Sequence, residues 1–352
     1  MIALETIAAD LPAFKQALLS QQAYKPLYVK IKLIFGCNLR CEMCNHWRSV
    51  RPPPLSMQRW AEILTELAAA GCQKVHLSGG EPLLRAGLPE LVAHAVGLGL
   101  RVTMTTNGTL LDKAQAKDLV QAGLRGVNIS LDAPDRKLHD TLRGVPGAWK
   151  KACRAVEYFQ RYASKGKLTL RVNTVVSRQN YLHLAAMPDF AAGLGVQALN
   201  LIGVDDHCGE HLGLHRRHIL EYNTRVAPIL AERALALGLI HSEQEAYPFG
   251  RLPSEQGFAR RGDYAFGYYR THPCFAPWTH SLIDYDGKVF VCCMTRERIT
   301  PLGDLRTNSF SEIWQGEAYR AVRGQMDPPR LAACRSCDDF IDQNAQILAI
   351  VK

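Results

Sequence analysis

Between residues 28 and 206 the hydrophobic pattern switches repeatedly between a period of two and a period near 3.6. YVKIKLIF (28–35) is rich in β-branched and aromatic residues and reads as a strand. A helix is expected over 56–70, where Trp60, Ile63, Leu64 and Leu67 share one face and Gly71 stands where a C-terminal cap would. KVHLSGG, RVTMTTNG, GVNISLD, LTLRVNTVV and VQALNLIGV read as five further strands. Helices are expected between them over 88–98, 113–122, 148–164 and 182–192. Strands alternating with helices argue for a parallel sheet with right-handed crossovers. Six units are too few to close an eight-stranded barrel. The expected fold class is therefore α/β, an open partial (β/α)6 barrel of the TIM type. Ligands in such sheets sit at the carboxyl ends of the strands, which puts residues 79–81, Asn107, Asp132 and Asp205 on one rim.

The pattern weakens after the sixth strand. Residues 207–271 read as a linker with a helix over 217–237 and an aromatic, glycine-containing loop. From 272 to 352 the character is that of a small α+β unit: SLIDYDGKVFVCC reads as a hairpin turning at Asp286-Gly287, followed by a helix over 309–325 and a closing Cys-x-x-Cys. Residues 1–27 form an N-terminal helical extension.

Composition bounds the function. The 352 residues are 47% apolar and 21% charged, which is globular composition. No run of ~18 apolar residues is present, so no membrane span is expected. Glu5 and Asp10 interrupt the place of a signal-peptide core, so the expected location is the cytoplasm. The net charge is +9, but its basic residues are scattered; that argues for a solvated surface or an anionic ligand over nucleic acid.

The 11 cysteines carry most of the chemistry. In a reducing compartment grouped cysteines point to metal or redox work. Cys37, Cys41 and Cys44 form a C-x3-C-x2-C loop directly after the first strand. Soft thiolates suit zinc, with His46 as a fourth ligand, or a 4Fe–4S cluster that keeps one iron open. Cys274, Cys292, Cys334 and Cys337, spaced 18, 42 and 3 residues apart, could hold zinc or a fully ligated 4Fe–4S cluster. Cys293 competes with Cys292. Adjacent strand residues face opposite ways, so one of the two ligates.

The chain resembles the radical S-adenosylmethionine (radical SAM) superfamily. After the cysteine loop come SGGEP (78–82), TTNG (105–108), NISLDAP (128–134) with Arg143-Gly144 downstream, and NTVVSRQN (173–180), in order and each at a strand end. Met43 departs from the family, which usually has an aromatic residue before the third cysteine. GKVFVC, GDL and SEIW resemble the SPASM/twitch extension, and four cysteines suffice for one auxiliary cluster, as in a twitch domain.

The resemblance implies two 4Fe–4S clusters and S-adenosylmethionine as cofactors. Cys37, Cys41 and Cys44 would hold the first cluster, and Cys274, Cys292, Cys334 and Cys337 the second. Gly79 and Gly80 would let backbone approach the methionine moiety, and Glu81 would contact its amino group. Ser130 and Arg143 would hold the carboxylate or ribose, and Asn107 and Asn173 would line the same rim. The implied chemistry is reductive cleavage of S-adenosylmethionine to a deoxyadenosyl radical that takes hydrogen from a substrate C–H bond. The electron would come from a flavodoxin or ferredoxin.

Near the substrate, Asp205 could bind hydroxyl or amino groups, and Cys208 could return a hydrogen atom, as in an epimerase. Only 27 residues precede the first strand, fewer than a leader-binding domain needs, so a sugar or aminocyclitol is favoured as the substrate to be dehydrogenated or epimerised. A peptide in natural-product maturation is the alternative. A zinc-binding nucleic-acid protein is the reading from another class. His207, His211, His215 and His218 resemble a metal cluster, but Gly209 and Gly213 interrupt any shared helical face.

Overall fold

The computed structural model describes residues 2–48, 51–164, 166–205, 211–337 and 339–352. Six strands form the barrel: β1 (Tyr28–Lys32), β2 (Lys74–Ser78), β3 (Arg101–Thr106), β4 (Gly126–Ser130), β5 (Thr169–Val176) and β6 (Ala198–Gly203). Each pairs in parallel with the next in sequence.

Parallel strands covered on both faces usually read as continuous apolar runs. These strands alternate because their two faces meet different surroundings. Val29, Ile31, Val75, Leu77, Val102, Met104, Val127 and Ile129 are buried in the core shared with the surrounding helices. The other face presents Lys30, His76, Thr105, Asn128, Arg171 and Asn173 to a cavity that fills the lumen.

The helices of the barrel are α3 (Met57–Ala69), α4 (Leu88–Gly97), α5 (Lys113–Gln121), α6 (Arg136–Arg143), α7 (Ala148–Tyr162) and α8 (Met187–Gly193), preceded by α1 (Ile2–Ala9) and α2 (Leu11–Ser20). The Ser56 side chain caps α3 by accepting the Arg59 N–H, and Trp60, Ile63, Leu64 and Leu67 are fully buried. Each such side chain contributes roughly 1.5–3 kcal/mol relative to exposure.

Three expected helices differ in detail, each for a backbone reason. The segment 182–192 is split into a 3₁₀ turn (Tyr181–Ala186) and α8, whose second residue, Pro188, has no N–H to continue the earlier turn. The helix of 217–237 runs as α9 (Arg216–Glu221), a π turn (Tyr222–Val226) and α10 (Ala227–Ala236). Pro228 cannot donate, and Ala227 N–H reaches Tyr222 O, one residue farther back than in an α-helix. The loop beyond it contains α11 (Pro253–Ala259), and α12 (Ala276–Thr279) leads into the C-terminal unit. The segment 309–325 breaks at Gly316 into α13 (Phe310–Gln315) and α14 (Glu317–Arg323). Gly316 is extended there, and a Cβ would stand 2.8 Å from Glu312 O.

The C-terminal unit continues the barrel sheet. β7 (His280–Ile283) pairs in parallel with β1, so the first strand is central. β7 turns at Asp286-Gly287 into β8 (Lys288–Phe290), and the short β9 (Gly303–Asp304) completes a nine-stranded sheet in the order β6-β5-β4-β3-β2-β1-β7-β8-β9. The N-terminal extension packs on this unit. Trp278 Nε1 donates to Ala17 O, Trp314 Nε1 donates to Tyr24 O, and α1 lies against the last helix, α15 (Ile341–Val351).

Candidate active site

The C-x3-C-x2-C loop leaves β1 at the carboxyl end of the sheet and is held by backbone on both sides. Arg40 and Glu42 N–H groups donate to the carbonyls of Arg143 and Leu142 at the end of α6. Gly144, in the left-handed region, makes this approach possible, because a Cβ there would lie 2.4 Å from Arg40 O. The Trp47 indole donates to Cys41 O.

The three thiols converge enough that the charges of Cys41 and Cys44 act on Cys37, and that of Cys44 on Cys41. Burial is the main cause raising Cys37, to about 11, and it also raises Cys41, where Arg143 opposes it. A metal centre bound by such thiols would displace their protons. His46 Nδ1 lies 3.1 Å from Cys44 Sγ. Its pKa is lowered to about 3 by burial and then by Lys32, Arg296 and Arg51, so the ring is neutral.

Gly79 and Gly80 have a role in the structure that the sequence does not display. A Cβ on Gly79 would stand 2.4 Å from Ile34 O, and one on Gly80 2.0 Å from Gly36 O. The glycines let the turn after β2 dock on the end of β1, where Gly80 N–H donates to Ile34 O and Glu81 N–H to Gly36 O. Glu81 is fully buried. Its Oε1 accepts from Leu83 N–H and Thr106 Oγ1, and its Oε2 from Asn107 N–H. Burial raises its pKa and these hydrogen bonds oppose the rise. The carboxylate therefore ties β2 to β3 at the rim, beside the place expected for an amino group.

Asn107 Nδ2 donates to Asn38 Oδ1 and lies 3.8 Å from Cys37 Sγ, while its Oδ1 accepts from Thr109. Ser130 and Asn173 are register partners at the ends of β4 and β5. Arg143 pairs with fully buried Asp132, Nε to Oδ2 at 2.7 Å, and its Nη1 lies 3.7 Å from Cys41 Sγ. Asp132 also accepts from Val175 N–H, and its own N–H donates to His139 Nδ1. The sequence placed Asp132 on the rim but not in this pair; an acidic residue ending an apolar strand was the only signal. Thr106, His139 and Asn180, which donates to the carbonyls of Asp132 and Val175, were missed.

Asp205 ends β6 at the rim, half exposed, 3.3 Å from Arg298 Nη2. Cys208, His207 and Asp206 lie outside the described residues. His218 Nδ1 lies 3.2 Å from His215 N and its Nε2 lies 3.1 Å from Arg217 Nε, and a neutral imidazole can accept at only one of the two. Cys72 and Cys153 are buried among apolar side chains of the core.

In the C-terminal unit the charges of Cys274 and Cys334 act on Cys292, and those of Cys292 and Cys274 on Cys337. All four thiols are raised chiefly by burial, Cys274 and Cys292 to about 12 and Cys334 to about 11. Cys293 points elsewhere. Its Sγ donates to Asp339 Oδ2 at 2.6 Å, and both residues line the lumen. Among the described residues no three His, Cys, Asp or Glu groups are close enough for a single metal ion.

The lumen cavity has a volume of about 1440 Å³ and runs from the amino ends of the strands to Asp205, Cys293 and Arg298. Aromatic side chains of the 247–266 segment, Tyr247, Phe249, Tyr264 and Phe266, close one wall.

Comparison with known proteins agrees with this geometry. Residues 31–190 match the radical SAM superfamily model, and residues 274–338 match the SPASM iron–sulfur cluster-binding domain. The PqqA peptide cyclase of Rhodopseudomonas palustris is 30% identical over 325 residues, 89% of this chain and 79% of that one. The AdoMet-dependent heme synthase of Methanosarcina barkeri is 27% identical over 325 residues, 89% and 88% of the two chains. That of Oleidesulfovibrio alaskensis is 33% identical over 168 residues, 47% of this chain and 42% of the relative. Streptococcus suis SuiB bound to S-adenosylmethionine superposes with a TM-score of 0.68 at 18% identity, over 92% of this chain and 74% of that one, a likeness of fold.

The chain belongs to the radical SAM superfamily, in the group whose members carry a C-terminal SPASM domain. It is an enzyme that works with S-adenosylmethionine and two iron–sulfur clusters.

Proposed function

We propose that this enzyme modifies a peptide. The observation that carries the reading is the likeness to PqqA peptide cyclases over 89% of the chain, at up to 30% identity. The structure of SuiB with its precursor peptide SuiA has the same fold, with a TM-score of 0.63 over 88% of this chain and 69% of that one. This reverses the preference for a sugar or aminocyclitol, which rested on the length of chain before β1. The heme synthases support a second reading, a haem-forming reaction, through the match over 325 residues.

Cys37, Cys41 and Cys44 would hold the first cluster, and Cys274, Cys292, Cys334 and Cys337 a single auxiliary cluster of the twitch kind. The clusters and S-adenosylmethionine supply a radical able to take hydrogen from an unactivated C–H bond. The chain's own residues place the reactants. Glu81 and the glycine turn fix the rim, Asn107, Ser130 and Asn173 offer polar groups around it, and Arg143 offers positive charge beside Cys41. The lumen walls exclude water from the reacting carbon. Asp205 would contact the substrate where β6 meets the C-terminal unit, and Cys208 would return a hydrogen atom if the product is an epimer. A flavodoxin or ferredoxin would supply the electron.

The test is anaerobic turnover of the reconstituted enzyme with synthetic peptides encoded beside its gene, followed by mass spectrometry. Loss of two hydrogens from a peptide, with deoxyadenosine formed in step, is the expected result. Deoxyadenosine formation that rises with a tetrapyrrole and with no peptide would move the reading to the haem-forming reaction.

A further inference from the structure

The lumen has an uneven charge. Strand alternation places Lys74 and Arg101, the first residues of β2 and β3, and Arg171 of β5 on the cavity side. Lys74 and Arg101 are register partners, and Arg125, just before β4, also lines the cavity. Among the described residues none of these four cations has a carboxylate partner. The Lys74 ammonium lies over the Tyr28 ring, 4.7 Å from its centroid. Arg101, Arg125 and Arg171 are exposed and surround the amino-end mouth of the cavity. Burial lowers the Lys74 pKa, and the charges of Arg101 and Arg171 lower it further, so these cations repel one another.

None of the cavity's described carboxylates forms an ion pair with these four cations. Asp205 pairs with Arg298, and Asp339 accepts from Cys293. Glu245 accepts the N–H groups of His241 and Ser242, and Glu255 those of Arg251 and Leu252. Asp342 sits in the first turn of α15. Like charges gathered at a cavity mouth without ion-pair partners attract and orient an anionic ligand.

We propose that the amino-end mouth of the lumen binds an acidic stretch of the peptide substrate, with Arg101 and Arg171 gripping carboxylates as planar forks and Lys74 acting as the inner point charge. The proposal rests on the peptide reading and deepens it. Lys74 and Ser78 are four residues apart on β2, about 13 Å at ~3.3 Å per residue. An extended peptide would thus carry the acidic residue held by Lys74 about four positions from the residue that reacts at the rim. These cations are positioning and specificity groups; they do not touch the reacting atoms.

The experiment uses the reconstituted holoenzyme with S-adenosylmethionine, under anaerobic conditions. Fluorescence anisotropy follows two labelled ten-residue peptides, one with alternating glutamates and one with glutamines in their place. The wild-type enzyme should bind the acidic peptide at least about tenfold more tightly, with an advantage that shrinks as salt rises. The Arg101→Gln/Arg171→Gln variant should lose at least about tenfold for the acidic peptide and less than about twofold for the glutamine peptide. Melting midpoint and iron content check that this variant is folded and loaded; Arg101→Lys/Arg171→Lys, which keeps the charge, serves if it is not.

Equal binding of both peptides, or a preference that survives the glutamine substitutions, overturns the proposal and leaves the peptide reading standing. Binding of butanetetracarboxylate with the same arginine dependence, and of neither peptide, removes the peptide from the mouth and overturns the proposal, while turnover of peptides encoded beside the gene tests the reading beneath it.

Discussion

Arg143 Nε lies 2.7 Å from Asp132 Oδ2, in a pair whose side chains are 11% and 0% exposed. Burial opposes the guanidinium charge, but Asp132 and Cys41 hold it protonated. The same guanidinium reaches Cys41 Sγ, so one buried ion pair couples the end of β4 to the first thiol loop. A buried pair adds little over an apolar equivalent, but loss of one partner strands the other.

Asp132→Asn should therefore destabilise the apo-protein by about 3–5 kcal/mol. Urea unfolding monitored by circular dichroism measures it. Arg143→Leu should cost a similar amount and Arg143→Lys less. Unchanged midpoints in all three would mean the pair does not hold the loop.

Gly80→Ala should prevent the turn after β2 from docking on β1, because the added carbon meets Gly36 O at 2.0 Å. Overpacking of this kind costs about 1–3 kcal/mol or more. Equilibrium dialysis should show loss of S-adenosylmethionine binding, and Gly97→Ala, with open space around it, should show none.

Cys292 and Cys293 provide a paired comparison. Cys292→Ala should lose about four of about eight irons per reconstituted chain, while Cys293→Ala keeps them, because the Cys293 thiol is engaged by Asp339 at the lumen wall. Iron assay with electron paramagnetic resonance distinguishes the two, and the reverse pattern would reassign the ligand.

Buried histidines set the acid sensitivity, His76, His139 and His280 among them. Burial lowers His76 and His280 to about 3, with Lys30 adding to it, and lowers His139 to about 4, with Arg143 adding to it. Each imidazole is more basic in the unfolded chain, near 6.5. Its contribution is therefore present above pH ~6.5 and is lost as pH falls towards 4. The slope is up to ~1.4 kcal/mol per pH unit for each imidazole. His76→Gln should flatten the pH dependence of the apo-protein's urea midpoint over this range. A profile identical to wild type would show that His76 does not titrate on unfolding.

Asp205→Asn should change stability by less than about 1 kcal/mol, since its pair with Arg298 is exposed. A large fall in peptide turnover with an unchanged melting midpoint would then report substrate contact. Turnover equal to wild type would confine Asp205 to the surface pair.

The barrel was legible because it is written in local periodicity. β1 to β6 alternate, α3 carries a four-residue apolar face, and Gly71 marks its end, whereas α6, which ends at Gly144, was not expected. The three-cysteine loop and the order of the rim motifs were likewise local, and they were enough to identify the cofactor chemistry. Proline and glycine effects at Pro188, Pro228 and Gly316 were visible as residues, but their outcomes depended on which carbonyl each neighbour could reach.

Contacts between segments distant in sequence were decided by the tertiary structure. Nothing in HSLI says that β7 pairs with β1 and extends the barrel sheet into the C-terminal unit, because strand pairing is set by which edges meet. Nothing in SGGEP says that both glycines make room for the backbone of β1. Asp132 finds Arg143, and Cys293 finds Asp339, only once the chain has closed. The alternation along six strands specified a polar face, but only the curvature of the sheet turned that face inward, gathering Lys74, Arg101 and Arg171 around a single cavity.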